Sequence, residues 1–182
     1  MSHHLYDGAA VAAPAAIPSE AEELATHLFE RYANEIFAYL LRMVGDRETA
    51  QDLAQDAFLA AYRARDQIAR LDNPRAWLYR IATNLALNAL KRRRRFAWLP
   101  WHSEERPDKG NLAEEVGRQT LIETALVALP PDYRAPLLLY AHHGFRMSEV
   151  AEALNLSEGA ARMRLHRART LFRQVYRKED RA

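Results

Sequence analysis

The stretch NLSEGAARMRLHRARTLF, residues 155–172, contains the residue types that bind nucleic acid. From Arg162 to the end of the chain there are eight Arg and Lys residues but only two acidic residues. Guanidinium groups bind phosphate oxygens and the edges of bases, so a helix this rich in arginine is a candidate for DNA contact. The alternative is an ordinary solvated basic face, and the charge alone does not decide between them.

The periodicity of this stretch predicts one amphipathic helix. At about 100° per residue, an apolar stripe forms on one side and a polar side lies opposite, with arginines along its flank. The stripe consists of Ala161, Leu165, Ala168, Phe172 and Val175. Gly159 and Ala160 are small, which would allow the start of the helix to approach DNA closely.

The residues in front of this helix predict a helix-turn-helix motif. A short helix over 148–154 is expected, with Ser148 as its cap, followed by a tight turn at Asn155. Asn tolerates the left-handed backbone conformation that such a turn often needs, and Ser157 suits the next N-cap. The second helix of this motif enters the major groove. The residues then expected to face base edges are Glu158, Ala160, Arg162 and Met163.

A second candidate for nucleic-acid contact is the segment NPRAWLYRIATNLALNALKRRRR, residues 73–95. Asn73 and Pro74 favour a helix start. The predicted buried stripe consists of Leu78, Ile81, Ala82, Leu85 and Ala89. The opposite row mixes cations with amides, so it could follow a nucleic-acid backbone and form hydrogen bonds with an exposed base. This row consists of Arg80, Thr83, Asn84, Leu87, Lys91 and Arg94. A solvated helix end, with its cations near the negative end of the dipole, is the alternative.

Helical periodicity dominates the whole sequence, and strand-like alternation is nearly absent. The fold class is therefore predicted to be all-α. Further helices are expected over Glu22–Val44, over Thr49 to about Arg65, around 121–129, and over 135–143, where Pro136 should delay the start or bend the helix. The segment 98–111 contains two Pro and a Gly, which indicates a linker. Two small helical domains joined by a flexible linker are predicted.

The composition argues against several classes of function. The chain has no cysteine, so it can have no disulfide, cysteine zinc site or thiol nucleophile. No apolar run approaches the roughly 18 residues of a membrane helix, and residues 1–18 do not have the pattern of a signal peptide. The histidines and carboxylates show no spacing typical of a metal site or an enzyme. No catalytic residue, metal or cofactor is expected, and His142 and His143 are interpreted as cations favoured at a helix end.

Three blocks occur in a fixed order along the chain. They are DRETAQDLAQDAFLAAYR, then NPRAWLYRIATNLALNALKRRRR, then LIETALVALPPDYRAPLLLYAHHGFRMSEVAEALNLSEGAARMRLHRAR. Together they resemble the extracytoplasmic-function (ECF) subgroup of bacterial RNA polymerase sigma factors, from about Leu24 to Tyr176 apart from the linker. The implied organisation is a flexible N-terminal extension over 1–21, sigma region 2 over 22–95, a linker over 96–118, sigma region 4 over 119–178 and a tail over 179–182.

The resemblance implies an alternative sigma factor that binds core RNA polymerase and promoter DNA in the cytoplasm. The acidic block at 46–63 would contact the clamp helices of the core through Asp52, Gln55, Asp56 and Phe58. An acidic face with one apolar anchor suits a basic coiled-coil partner, and a solvated helix face is the alternative. An anti-sigma factor is expected as a further partner, and no membrane insertion is expected.

The resemblance also implies which residues contact promoter DNA. The minus-10 element would be bound by Arg80, Thr83, Asn84, Lys91 and Arg94. The loop around 68–73, together with Asn84, would capture an extruded base, which offsets a few kcal/mol of unpairing. The minus-35 element would be bound by Ser157, Glu158, Gly159, Ala160, Arg162, Met163, Arg164, His166 and Arg167.

The sequence departs from the family at one expected DNA-contact residue, and a rival interpretation of the whole chain is also open. The family usually has a small polar residue where this chain has Met163, whose thioether offers mainly apolar contact, for example to a thymine methyl. A conventional helix-turn-helix repressor or activator is the rival interpretation. That interpretation would explain residues 155–172, but it would give no role to the segment RAWLYRIATN or to the acidic block at 46–63.

Overall fold

The protein is all-α in a computed structural model, whose described residues are 19–96 and 116–179. The helices are α1 (Glu20–Val44), α2 (Arg47–Arg63), α3 (Arg65–Ile68), α4 (Pro74–Phe96), α5 (Val116–Ala128), α6 (Pro131–Leu137), a π-helical segment (Leu138–His142), α7 (Met147–Leu154) and α8 (Glu158–Glu179). No strand occurs in these ranges, which confirms the predicted fold class. The N-terminal extension and most of the predicted linker lie outside the described residues.

The ends of α1 and α2 follow directly from the sequence. Ser19 and Glu22 form a capping box at the start of α1, and Gly45 ends the helix with φ 76°. Asp46 then caps α2 by accepting a hydrogen bond of 2.7 Å from the backbone N–H of Thr49, so α2 begins at Arg47. Hydrogen bonds from Thr49 also hold the pKa of the Asp46 carboxyl below its usual value.

The first three long helices pack into one N-terminal unit. Its fully buried side chains include Ile36, Tyr39, Leu40 and Met43 from α1, Ala50 and Ala57 from α2, and Leu78, Ala82 and Ala86 from α4. Each large aliphatic or aromatic side chain in this core contributes about 1.5–3 kcal/mol relative to exposure.

The C-terminal unit contains α5 to α8. Pro136 lies inside α6 but does not delay its start, because the backbone N–H groups of Tyr133 and Arg134 already donate to the Pro130 carbonyl. The helix continues as the π-helical segment, and the N–H of His143 donates to the Leu138 carbonyl at 3.0 Å. Of the two effects expected of Pro136, a delayed start or a bend, the delayed start was therefore wrong.

The helix-turn-helix geometry is present in α7 and α8. Asn155 has φ 51° and ψ 51°, the predicted left-handed conformation, and the Ser157 hydroxyl accepts a hydrogen bond of 3.2 Å from the N–H of Ala160. The predicted cap at Ser148 was wrong. The N-cap of α7 is Arg146, two residues earlier, and the Glu149 carboxylate accepts a hydrogen bond of 2.7 Å from its backbone N–H.

The two units also pack against each other. Helix α4 packs on α7, and α1 packs on α5, so the buried apolar residues of both units form one continuous cluster. This contact was not predicted from the sequence, which indicated only a linker between two bundles.

Candidate nucleic-acid and polymerase interface

The polar side of α8 is exposed along its N-terminal half. Arg162, Met163, His166 and Arg167 are all exposed, whereas the predicted stripe from Ala161 to Val175 is buried or half-buried. Met163 is 56 % exposed, which is high for a large apolar side chain and leaves its thioether free to meet a ligand.

The start of α8 is open to a closely approaching partner. A Cβ atom built on Gly159 would meet nothing within 4 Å apart from its own helix, so internal packing does not require glycine here. Arg162 donates to the Glu158 carboxylate at 2.9 Å, and both side chains are exposed. An exposed pair of this spacing contributes only about 0.3–0.5 kcal/mol, so a phosphate can displace it at low cost.

A basic cleft lies beside α8 that the sequence did not reveal. It has a volume of about 530 Å³ and is lined by Tyr140, Arg146, Met147, Arg162, Leu165, His166 and Arg169. The Arg169 guanidinium lies 5.0 Å from the Tyr140 ring centroid, which orients a cation beside the recognition surface. The missed residues come from three separate elements, and only the fold brings them together.

The predicted minus-10 residues do not all reach the surface of α4. Asn84, Lys91 and Arg94 are exposed and Arg80 is half-buried. Thr83 is 1 % exposed, so its assignment to DNA contact is corrected: the side chain belongs to the core. In the predicted loop at 68–73, Ile68 is also buried, while Asn73 caps α4 by accepting from the N–H of Ala76 at 3.0 Å.

Thr83 is part of a buried hydrogen-bonded chain. Its hydroxyl donates to the Tyr79 carbonyl at 2.7 Å and lies 2.7 Å from the Tyr39 hydroxyl. Because a threonine hydroxyl has a single proton, the Tyr39 hydroxyl is the donor to Thr83. Burial raises the pKa of Tyr39, so this phenol stays protonated and able to donate.

The predicted polymerase-binding residues lie on the outer face of α2. Asp52, Gln55 and Asp56 are exposed, whereas Phe58 is half-buried and packs edge-on against Phe29 with ring centroids 5.0 Å apart. The carboxylates are therefore available to a partner, whereas the phenyl ring of Phe58 is partly buried by its contact with Phe29.

An apolar groove adjoins this acidic face. It lies between α1 and α2 and has a volume of about 480 Å³. Phe29, Leu59 and Tyr62 line it and are 53 %, 43 % and 49 % exposed. These three residues were not predicted as part of a binding surface, although Leu59 lies one helical turn after Gln55 on the same face of α2. Large apolar side chains exposed beside carboxylates are typical of a protein-binding surface.

Two protein-family models match the chain, one on the N-terminal unit and one on the C-terminal unit. Sigma-70 region 2 matches residues 28–96, and Sigma-70, region 4 matches residues 119–171. The chain belongs to the sigma-70 family. The matched segments of this sigma factor contain the acidic face of α2, all of α4 and the helix-turn-helix.

Similar proteins assign the chain to the ECF subgroup. It is 32 % identical over 173 residues to the ECF RNA polymerase sigma factor SigG of Mycobacterium tuberculosis, a match that covers 80 % of this chain and 47 % of SigG. It is 31 % identical over 157 residues to the RNA polymerase sigma-H factor of Pseudomonas aeruginosa, covering 76 % of this chain and 79 % of that factor. The chain thus spans less than half the length of SigG.

A solved structure supports the fold. The sigma factor RpoE of Bartonella quintana, in complex with the anti-sigma factor NepR, aligns with a TM-score of 0.66 and 20 % sequence identity. The alignment covers 85 % of this chain and 97 % of that chain, so it includes both units. Among the described residues of the sigma factor, no helix is long and apolar enough to cross a membrane, and no cluster of side chains could hold a metal ion.

Proposed function

We propose that this protein is an alternative sigma factor that binds core RNA polymerase, recognises minus-35 and minus-10 promoter elements and initiates transcription. The observation that carries the proposal is the pairing of two different surfaces on units matched to sigma regions 2 and 4. One is the acidic and apolar face of α2, and the other is the exposed arginine side of α8. The activity needs no catalytic residue or cofactor of the sigma factor itself, and its site of action is the cytoplasm.

The minus-35 surface is proposed to be the N-terminal half of α8 with the turn before it. The residues are Ser157, Glu158, Gly159, Ala160, Arg162, Met163, Arg164, His166 and Arg167. Exposure of Arg162, Met163, His166 and Arg167 supports this set. The adjoining cleft adds Arg146 and Arg169 as candidates for phosphate contact, because both cations line it together with Arg162.

The surfaces that bind the minus-10 element and core polymerase are proposed to lie on the unit at 22–95. The unit at 119–178 is proposed to bind duplex DNA at the minus-35 element. Arg80, Asn84, Lys91 and Arg94 remain the candidates on α4. On α2, Asp52, Gln55, Asp56 and Phe58 would contact the clamp helices of the polymerase. The apolar groove beside them extends this contact, since an acidic rim around apolar side chains fits a basic helical partner.

Control by an anti-sigma factor is part of the proposal. The similar structure of RpoE contains the anti-sigma factor NepR, which supports the same kind of partner for this chain. The inducing signal and the promoter sequence are separate questions.

Run-off transcription with purified core polymerase on a linear template tests the proposal. We expect specific initiation only when the protein is added, together with co-elution of the protein and the core. Arg162→Ala should weaken minus-35 binding while leaving core binding unchanged, and Arg173→Ala, on the far half of the same helix, is the matched control. Equal loss of both activities would mean that Arg162 is structural.

Promoter opening needs a second measurement. Asn84→Ala should reduce permanganate reactivity of the minus-10 region more than it reduces duplex binding, because an exposed amide is expected to hold the extruded base. Unchanged reactivity would remove Asn84 from the minus-10 set. A protein that binds a duplex operator tightly by itself and never engages the core would instead be a helix-turn-helix repressor or activator, the function that α7 and α8 alone would support.

A further inference from the structure

Tyr140 is an exposed aromatic residue that belongs to none of the proposed binding sets. It lies in the π-helical segment Leu138–His142, shortly after a run of consecutive residues, 134–139, that are all buried. Tyr140 itself is 39 % exposed and lines the basic cleft beside α8. The chain thus leaves the core at Tyr140 and places the aromatic ring next to the recognition helix.

The ring contacts a cation of α8. The Arg169 guanidinium lies 5.0 Å from the ring centroid, within the roughly 6 Å that defines a cation–π contact. Arg169 follows Arg162 and His166 at the spacing i, i+4, i+7, so the three side chains share one face of the helix. All three also line the cleft. Tyr140 therefore supports the last cation of a row that begins in the proposed minus-35 set.

The other two arginines of the cleft are held by carboxylates instead. Arg162 donates to Glu158 at 2.9 Å, and Nε of Arg146 lies 4.0 Å from the Glu149 carboxylate. A carboxylate orients an arginine, but it also offsets the positive charge and occupies N–H donors. Arg169 forms no ion pair with any residue in the ranges 19–96 and 116–179. Its charge is therefore not offset by the part of the chain that the structure describes.

An aromatic ring orients a guanidinium group without these two effects. The face of the ring attracts the cation, while the N–H groups at the guanidinium edge stay available to acceptors. Because the arginine is already ordered, it loses less conformational entropy when it binds. Arg169 is thus oriented before DNA arrives and keeps both its charge and its donors, which suits contact with a phosphate oxygen.

The position of Arg169 on α8 points to the DNA backbone rather than to a base. It lies seven residues after Arg162, about 10 Å further along the helix axis at about 1.5 Å per residue. In a helix-turn-helix motif, the N-terminal residues of the second helix contact base edges. A cation two turns later is placed for the phosphates at the edge of the groove, which position the protein without carrying sequence information.

We propose that Tyr140 is a positioning residue of the minus-35 surface, whose ring holds the Arg169 guanidinium in place to bind a backbone phosphate of the promoter. Tyr140 acts through Arg169 and not through its own contact with DNA. This inference rests on the proposed function. The pair should raise the affinity for every duplex and leave the preferred sequence unchanged, because phosphate contacts do not distinguish bases.

A double-mutant cycle tests the coupling between the two side chains. The protein is bound to purified core polymerase, and fluorescence anisotropy measures its affinity for a labelled duplex that the same complex has enriched from random DNA. Tyr140→Leu should weaken binding about two- to fivefold, the range expected for an exposed cation–π contact. In the Arg169→Ala background the same substitution should have no further effect. Tyr140→Phe keeps the ring and should recover the affinity that Tyr140→Leu loses.

The salt dependence of binding identifies the phosphate contact. Arg169→Ala should reduce the slope of log K against log salt concentration by about 0.9, the value for one phosphate contact. Arg173→Ala is the matched control, because Arg173 is exposed one turn later on the same helix and does not line the cleft. In the Arg173→Ala background, Tyr140→Leu should keep its full effect of about two- to fivefold.

Three results would overturn the positioning role while the proposed function stands. Equal losses from Tyr140→Leu with and without Arg169 would make Tyr140 a structural residue. A loss with Tyr140→Phe as large as with Tyr140→Leu would show that the ring is not sufficient. Equal binding by Tyr140→Leu and the unsubstituted protein would show that the ring is not needed. If the unsubstituted protein forms no DNA-binding complex with core polymerase, the proposed function fails, and the minus-35 role of Tyr140 fails with it.

Discussion

Thr83→Val tests the buried position of a residue that the sequence assigned to DNA contact. Valine keeps the β-branched shape and a similar helix propensity, so the change removes the hydroxyl and little else. In the structure this hydroxyl accepts from Tyr39 and donates to the Tyr79 carbonyl, and its side chain is 1 % exposed. The Tyr39 hydroxyl, which is fully buried, would lose its acceptor.

The magnitude follows from that orphaned hydroxyl. A buried polar group left without a partner costs about 1–3 kcal/mol, and we expect Thr83→Val to lower the free energy of unfolding by this amount. For a chain of this length the melting temperature should fall by about 2–4 °C per kcal/mol. Tyr39→Phe should cost less, at about 0.5–1.5 kcal/mol, because Thr83 still donates to the Tyr79 carbonyl.

Urea unfolding followed by circular dichroism measures both variants and their combination. The double variant should be less destabilised than the sum of the single variants, with a coupling of about 0.5–3 kcal/mol, because both ends of one hydrogen bond are removed together. Asn84→Ala is the exposed neighbouring control and should change stability by less than about 0.5 kcal/mol. A stable Thr83→Val protein with weakened minus-10 binding would refute the buried network.

Three further outcomes are expected. Met163→Thr should change the preferred base in the minus-35 element, with little change in overall affinity for DNA. Selection of bound sequences from random DNA duplexes measures this preference, and an unaltered preference would mean that Met163 does not face a base. Asn155→Ala should be about 1 kcal/mol less stable in chemical denaturation than Asn155→Gly, because a Cβ without a hydrogen-bonding side chain is strained at φ 51°; equal stabilities would contradict that strain. Burial, followed by the positive neighbours, lowers the pKa of His143 to about 3, so the free energy of unfolding has its full value above about pH 7 and decreases as the pH falls below the ordinary value near 6.5. The free energy of unfolding, measured by urea titration, should therefore decrease from pH 7 to pH 5, and His143→Gln should reduce this decrease.

Local sequence signals predicted the helices and the helix-turn-helix well. Gly45, Asn73, Asn155 and Ser157 each have the capping or turn conformation that their residue type favours. Such signals act within a few residues, so the sequence contains all the information that they need. The apolar stripe of α8 was correct for the same reason.

The errors lie where a side chain meets a distant segment. The stripe on α4 predicted one buried face, but Tyr79 and Thr83 are buried on a second face, against Tyr39 of α1 and the segment before α7. Ser148 was a plausible cap, but Arg146 is at the N-cap, and the Glu149 carboxylate accepts both from its backbone N–H and from Asn73 across the interface. Periodicity shows which face of a helix is apolar and not what covers its polar side.

The sequence by itself determined the helical class, the capped turn at Asn155 and the arginines of α8, because each depends on residue type and short-range spacing. Tertiary structure alone decided that Thr83 is a core residue, that Phe29, Leu59 and Tyr62 form an exposed groove, and that the two units close on each other. These features depend on contacts between residues tens of positions apart. Burial at such positions is fixed only when the helices have packed.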